Sequence, residues 1–290
     1  MPTAIAITRH QDMDALELRA PDGARALVLL HGAQVLSWVP AGAEEQLYVS
    51  PKAAYASGQA LRGGVPVIFP QFSDRGPLQR HGFARSKPWQ MISAEQGADD
   101  ALAVLRLTDD DATRMSWPHA FEAELTVRVA GRSLEIELAC SNTGDEPLSF
   151  TAALHSYLRV KSIHDVSLSG LAGLHYWDAI DKAEHRQRSD LLLPGAPGAE
   201  DLDRIYHQVT QDLTLREQGI DGKTRILRIS QQGFADTVVW NPGAERCAAL
   251  GDMPADGWRH MLCVEAAAIE HPIVLQPGQE WAGMQSLFLL

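Results

Sequence analysis

Between Phe121 and Ser141 the chain alternates apolar and polar residues almost without a break. Phe121, Ala123, Leu125, Val127 and Val129 alternate with Glu122, Glu124, Thr126 and Arg128, and then Leu134, Ile136, Leu138 and Cys140 alternate with Glu135, Glu137, Ala139 and Ser141. Successive side chains of a strand point to opposite faces, so each run reads as a strand with one dry and one wet side. A helix would spread the same residues around its circumference. The intervening Ala-Gly-Arg-Ser is a short turn, and the two runs therefore predict an antiparallel hairpin.

The pattern recurs. Leu213–Ser230 carries it around Asp221-Gly222, a favoured tight-turn pair. Further strands are predicted in ALVLLHGAQVLSWVP (26–40), LSFTAALHSYLRV (148–160), DTVVWNP (236–242) and MLCVEAAAI (261–269). Helical signals are few: a short helix capped by Ser50 over 50–61, and one turn at most over 110–121, stopped by Pro118. Strands do not alternate with long helices, which excludes a doubly wound α/β fold. The expectation is an all-β chain, a large antiparallel β-sandwich with a few short helices. The 290 residues show no linker or internal repeat, so a single domain over 1–290 is expected.

Charge removes several partner classes. A formal net charge of -12 argues against nucleic acid and against an anionic membrane surface. Three widely spaced cysteines, Cys140, Cys247 and Cys263, fit free thiols in a reducing cytoplasm and suggest neither a zinc site nor a disulfide framework. The N-terminal segment lacks the basic and apolar regions of a signal peptide, and no apolar run is long enough to span a membrane.

Against that acidic background, LQRHGFARSKPW (78–89) holds Arg80, His81, Arg85 and Lys87 and no acid. It closes a long loop region, 57–90, shaped by Gly63, Gly64, Pro66, Pro70, Pro77 and Pro88. Long loops of this kind more often bind something than merely connect. Arg62 and Arg85 are suited to grip a phosphate or carboxylate with paired hydrogen bonds. Surface ion pairing would account for them equally well. Arg80 and Lys87 read as solvated surface.

Other candidates stand in strands. His155 lies on the polar-aromatic side of its strand with Thr151, Tyr157 and Arg159. Its imidazole titrates near neutrality, although a lone histidine there is more often structural. Glu265 sits inside an apolar strand, where a carboxylate needs a hydrogen-bond partner or a cleft. It is either a general base with a raised pKa or the buried partner of an arginine. Asp203, after a second Gly/Pro-rich loop at 190–206, either accepts hydrogen bonds from a ligand or pairs with Arg204. No GxSxG, GxxxxGK[ST], GxGxxG or HExxH pattern occurs, so nucleophile-elbow, nucleotide-cradle and zincin chemistries drop out. A His–Glu pair acting without metal or cofactor is the simplest chemistry left.

These residues resemble the aldose 1-epimerase superfamily, in particular its hexose-6-phosphate branch. The matching segments are LRGGVPVIFPQF, RHGFARSKPW, ALHSYLRV, LDRIY, VVWNP, DMPADGWRHMLCVEAA and LQPGQEW, spanning residues 61–281. The resemblance implies a galactose mutarotase-like supersandwich with the sugar on a concave sheet face. It implies His155 as the acid that protonates the ring oxygen and Glu265 as the base at the anomeric hydroxyl. His155 protonated and Glu265 ionised is then the expected starting state. Arg62 and Arg85 would hold the 6-phosphate of a small sugar phosphate, with His81, Asp203 and Gln71 around the sugar. Gln71 stands where many relatives carry an aromatic residue. An epimerase for unphosphorylated aldoses and a silent sugar-binding module remain open alternatives. A cytoplasmic monomer without cofactor is expected.

Overall fold

The computed structural model describes residues 3–193, 201–219 and 222–290. Part of the 190–206 loop and the Asp221 half of the predicted tight turn lie outside them. The alternating runs form the strands Phe121–Ala130 and Ser133–Asn142, with every apolar position of the pattern buried. Ala130 pairs with Ser133 across a two-residue turn, as the spacing predicts. Leu213–Gln218 and Thr224–Gln232 form the second hairpin.

Among the described residues the strands make a ten-stranded, an eight-stranded and a four-stranded sheet. Pairing is antiparallel, including the long strand Met261–Leu275 between Leu148–Leu154 and Asp236–Pro242. One apolar cluster joins the three sheets: Leu125 and Val127 from the largest, Phe150, Leu154 and Val264 from the eight-stranded, Leu16 and Val28 from the smallest. This is the β-sandwich the alternation predicts, since each wet-and-dry strand must bury its dry side against another sheet. The opposite face of the eight-stranded sheet is partly apolar too, with Ile68, Ala153, Ile205, Val238 and Ala267 clustered there under Phe72.

Two expectations about local structure change. The predicted helix over 50–61 is instead turns and irregular chain, flanked by isolated bridges from Leu47 to Leu158 and from Val49 to Gly63. The capping residue Ser50 instead ties the turn to a distant loop, donating to Asp252 O at 2.7 Å. Helices form at Asp111–Ser116, capped by Asp110, and at Gly243–Ala248, which the sequence pattern did not single out. No helix among the described residues is long and apolar enough to cross a membrane.

The predicted strand over 148–160 is interrupted. It runs Leu148–Leu154, breaks at His155-Ser156 and resumes at Tyr157–Arg159. Under the break Ser156 Oγ, fully buried, donates to Gln285 Oε1 at 2.5 Å from the opposite sheet. Gln285 Nε2 donates to Val264 O at 3.0 Å, and Val264 N donates to Ser156 O at 3.1 Å. One glutamine from the ten-stranded sheet thus braces the backbone beside both His155 and Glu265.

Gln285→Leu strands the Ser156 hydroxyl in the core, and the expected loss is about 1–3 kcal/mol of unfolding free energy, read by urea denaturation. Adding Ser156→Ala to that variant should restore part of the loss. A double variant less stable than the single one would show that the brace is not a hydrogen-bonded unit.

Candidate active site

The chain around Arg62 is extended and held from several sides. Gln34 Nε2 donates to Leu61 O at 3.1 Å and to Gly63 O at 2.6 Å. Gly64, at φ 63°, passes so close to Val35 that a Cβ would lie 2.1 Å from its carbonyl oxygen, so only glycine fits. The segment then enters the strand Val67–Ile68 alongside Leu154 and Ala153, and His155 N donates to Pro66 O at 3.0 Å. Phe69 sits edge-on or tilted against Phe83, Trp117, Phe121 and Phe150, which anchors the root of the next loop. The loop doubles back through His81 and Gly82, both at positive φ, so that Phe83 N and Ala84 N donate to Phe69 O. Arg85, in the short 3-10 turn Ala84–Ser86, is thereby returned to the neighbourhood of Arg62.

These segments and the eight-stranded sheet enclose a cleft of about 360 Å³, in the size range of small-molecule sites. Arg62, His81, Arg85, His155, Asp203 and Glu265 all line it. Gln71 does not: its amide is spent inside the loop, on Ser73 O at 2.9 Å, Leu78 O at 3.1 Å and Leu78 N at 2.9 Å. Gln71 shapes the loop rather than the cleft wall. A larger cleft of about 760 Å³ lies elsewhere, between His10, Tyr55 and Lys161. Its one carboxylate, Glu45, is consumed by the backbone N–H groups of Trp38 and Leu47, each at 2.9 Å, so no free acid–base pair stands there.

His155 Nδ1 and Glu265 Oε1 are 3.2 Å apart, and both side chains are buried. They are not aligned as a hydrogen bond: His155 Nδ1 and Glu265 Oε2 lack a hydrogen-bond partner among the described residues. Buried polar atoms are nearly always paired, so two unpaired ones side by side on a cleft wall make it a candidate place for a ligand to bind. The imidazole stacks on Tyr157 with ring centres 4.7 Å apart and meets the edges of Trp240 and His81. His81 accepts from Ser73 N through Nδ1 at 3.2 Å, which in the neutral ring leaves the proton on Nε2.

Burial decides the protonation states. It pushes the His155 pKa well below the ordinary value, and the charges near His81, Arg85 and Arg62 push the same way. It pushes Glu265 well above the ordinary carboxylate range; Asp203 adds to that and Arg85 opposes it. His81 is pushed down to about 3, by burial first and then by Arg85, Arg80 and Arg62. Both shifts favour the uncharged form of each group.

The arginines are not equivalent. Arg62 donates to Asp252 Oδ2 and to Tyr157 Oη, both at 3.1 Å; burial works against its charge, and those two partners outweigh it and raise its pKa. Arg85 has no carboxylate partner among the described residues and donates only to Arg80 O, at 3.0 Å. Burial pulls its pKa down, as do Arg62 and Arg80. Asp203 does not pair with Arg204, which goes to Asp178 at 3.2 Å; it takes Arg246 at 3.1 Å, and Arg246 also holds Asp201 at 2.9 Å. Arg246, Asp252, Tyr157, Trp240 and Arg80 are site residues the sequence reading did not select. Cys263 Sγ lies with the donor atoms of His155 and Glu265, all within 4.8 Å of one another, and these three are the residues best placed to hold a metal ion.

The pattern common to aldose 1-epimerases matches residues 14–287. A protein of Cenchrus ciliaris named "Putative glucose-6-phosphate 1-epimerase" is 32% identical over 296 residues, covering 99% of this chain and 88% of its own. One of the same name from Escherichia coli K12 is 34% identical over 266 residues, covering 90% and 86% respectively. A solved structure described as a "putative mutarotase" from Salmonella typhimurium superposes with a TM-score of 0.85 at 29% identity, over 99% of this chain and 93% of that one.

Because the folded chain keeps Glu265 protonated where the unfolded chain ionises it, the folded state binds more protons above the ordinary carboxylate range. Stability present below that range is then lost as pH rises toward the raised value. Glu265→Gln abolishes this dependence. Its denaturation midpoint should exceed that of the wild type by a margin that widens as pH rises above the ordinary carboxylate range. A constant margin would mean that Glu265 ionises in the folded chain as it does in the unfolded one.

Proposed function

The chain belongs to the aldose 1-epimerase family, and from that premise we propose that it interconverts the α and β anomers of a hexose 6-phosphate, D-glucose 6-phosphate first among them. The observation that carries this reading is a buried imidazole–carboxyl pair, unaligned at 3.2 Å, in one cleft with Arg62 and Arg85.

Anomer exchange needs one proton taken from the C1 hydroxyl and one given to the ring oxygen. In the proposed route Arg85 and Arg62 grip the 6-phosphate. The bound dianion offsets the positive charge that disfavours protonated His155, so that the pair reacts with His155 protonated and Glu265 ionised. Glu265 then takes the C1 hydroxyl proton, C1=O forms, the C1–O5 bond breaks, and His155 protonates O5. The open-chain aldehyde rotates about C1–C2, and the reverse transfers close the other anomer. Asp203, fixed by Arg246, accepts hydrogen bonds from sugar hydroxyls, and His81 donates one from Nε2.

Two features support a phosphorylated substrate over a neutral sugar. A neutral sugar gives Arg85 no counter-charge, and a half-buried guanidinium without a carboxylate favours an anionic ligand. The relatives named above carry glucose 6-phosphate in their names. We further propose that the whole chain works as one domain, since a single apolar cluster reaches from Leu16 to Leu289. A cytoplasmic monomer is part of the same reading; its three cysteines are free and buried.

Exchange NMR between the anomers of glucose 6-phosphate tests the reading directly. His155→Ala and Glu265→Gln should each lower the enzymatic exchange rate by about 10²–10⁴-fold. Near-normal rates in either variant would remove the pair from the mechanism. Arg85→Ala should lower kcat/KM for glucose 6-phosphate by about 10–100-fold, the equivalent of one or two charged hydrogen bonds. Exchange of unphosphorylated glucose should not follow. Equal losses on both sugars would favour the unphosphorylated-aldose alternative.

A further inference from the structure

The charges lining the cleft leave a phosphate dianion under-matched. Arg62 is already shared with Asp252 at 3.1 Å. Arg246 is held between Asp201 and Asp203. Only Arg85 faces the cleft without a carboxylate partner among the described residues. A phosphate monoester brings a charge of about -1.5 to -2 near neutral pH. One uncommitted guanidinium and one shared one do not balance it.

Arg80 is placed to supply the difference. Its side chain lines the same cleft as Arg62 and Arg85. Its backbone carbonyl receives the Arg85 guanidinium at 3.0 Å, so its side chain starts from within one hydrogen bond of the phosphate grip. The left-handed residues His81, at φ 68°, and Gly82, at φ 67°, set this turn. A Cβ on Gly82 would meet Phe69 O at 2.2 Å, so the turn is fixed by close packing. The guanidinium itself is engaged by Asp74 at 3.3 Å, with the two side chains 59% and 69% exposed. Asp74 does not line the cleft. An ion pair that open to water contributes little and exchanges readily for a better anion.

We propose that Arg80 is a third arginine of the phosphate subsite and that Asp74 is its competing latch, so that phosphate binding transfers Arg80 from Asp74 to the ligand. This rests on the hexose 6-phosphate reading and deepens it, because it specifies a dianionic phosphate monoester as the recognised group. It also assigns opposite effects to two neighbouring exposed residues, neither of which the fold depends on.

Isothermal calorimetry with glucose 6-phosphate, and separately with inorganic phosphate, reads binding without turnover. Arg80→Gln should weaken binding of both about tenfold, the loss of one charge-assisted contact at a partly exposed site. Asp74→Asn should tighten it about two- to threefold, by releasing Arg80. In the Arg80→Gln background Asp74→Asn should have no effect. Unchanged binding in Arg80→Gln overturns the proposal, as does weaker binding in Asp74→Asn. Tightening by Asp74→Asn that persists without Arg80 also overturns it, since Asp74 would then act by its field alone. Anomer exchange is followed in parallel. Wild type that binds phosphate without exchanging anomers would sink the epimerase reading and leave the latch standing; wild type that binds neither probe would sink both.

Discussion

Two ionisable groups, His155 and Glu265, are held buried 3.2 Å apart and denied a proper hydrogen bond to each other. Such an arrangement does not persist by itself, because buried polar atoms move to find partners. The surrounding fold prevents it. The strand carrying His155 breaks at that residue, and the break is braced by Ser156, Gln285 and Val264 across the two sheets. Tyr157 stacks on the imidazole, and Tyr157 is itself tied to Arg62, which is tied to Asp252. The polar brace beneath the pair and the aromatic contacts around it fix both groups where a ligand, rather than each other, can complete their bonding.

The same arrangement orders the charges. The chain is acidic as a whole, with a net charge of -12, yet its cleft gathers Arg62, Arg80, Arg85 and Arg246. Acids are not excluded from that cluster but distributed through it. Asp252 fixes Arg62, and Asp201 and Asp203 fix Arg246, while Arg85 is left with a backbone carbonyl. A guanidinium that already has a carboxylate is oriented and partly neutralised; one without is poised for an anion. The difference between Arg62 and Arg85, which look alike in sequence, is thus a difference of role.

Fold class was legible because alternation over Phe121–Ser141 reports sheet burial directly, and the hairpin register followed from the turn length. His155, Glu265, Arg62 and Arg85 were legible as chemistry out of place: a carboxylate in an apolar strand, arginines in an acidic chain. Their convergence into one cleft was not, since pairs such as Arg62–Asp252 are 190 residues apart. Gln71 misled because its amide serves its own loop, a use of local hydrogen bonds that spacing does not reveal. Asp203 was read against its neighbour Arg204, but adjacent residues of a strand point to opposite faces, and its true partner comes from the short helix Gly243–Ala248 that the pattern did not single out. The supporting residues Ser156 and Gln285 look like ordinary polar positions until the opposing sheet is in place.

Where the proton rests bears on mechanism. Burial favours the uncharged form of each group. In the proposed reaction that is also the state of the pair once the ring has opened, with the hydroxyl proton on Glu265 and the former histidine proton on O5. Burial of the pair therefore favours the protonation state of the open-chain intermediate over that of either closed anomer. The charge-separated form that begins each half of the reaction is the one the site resists, and a phosphate dianion on Arg85 and Arg62 relieves that resistance by offsetting the positive charge that disfavours the imidazolium. Substrate binding and proton placement are then one electrostatic event, since the anion that anchors the sugar also arms the acid that opens it.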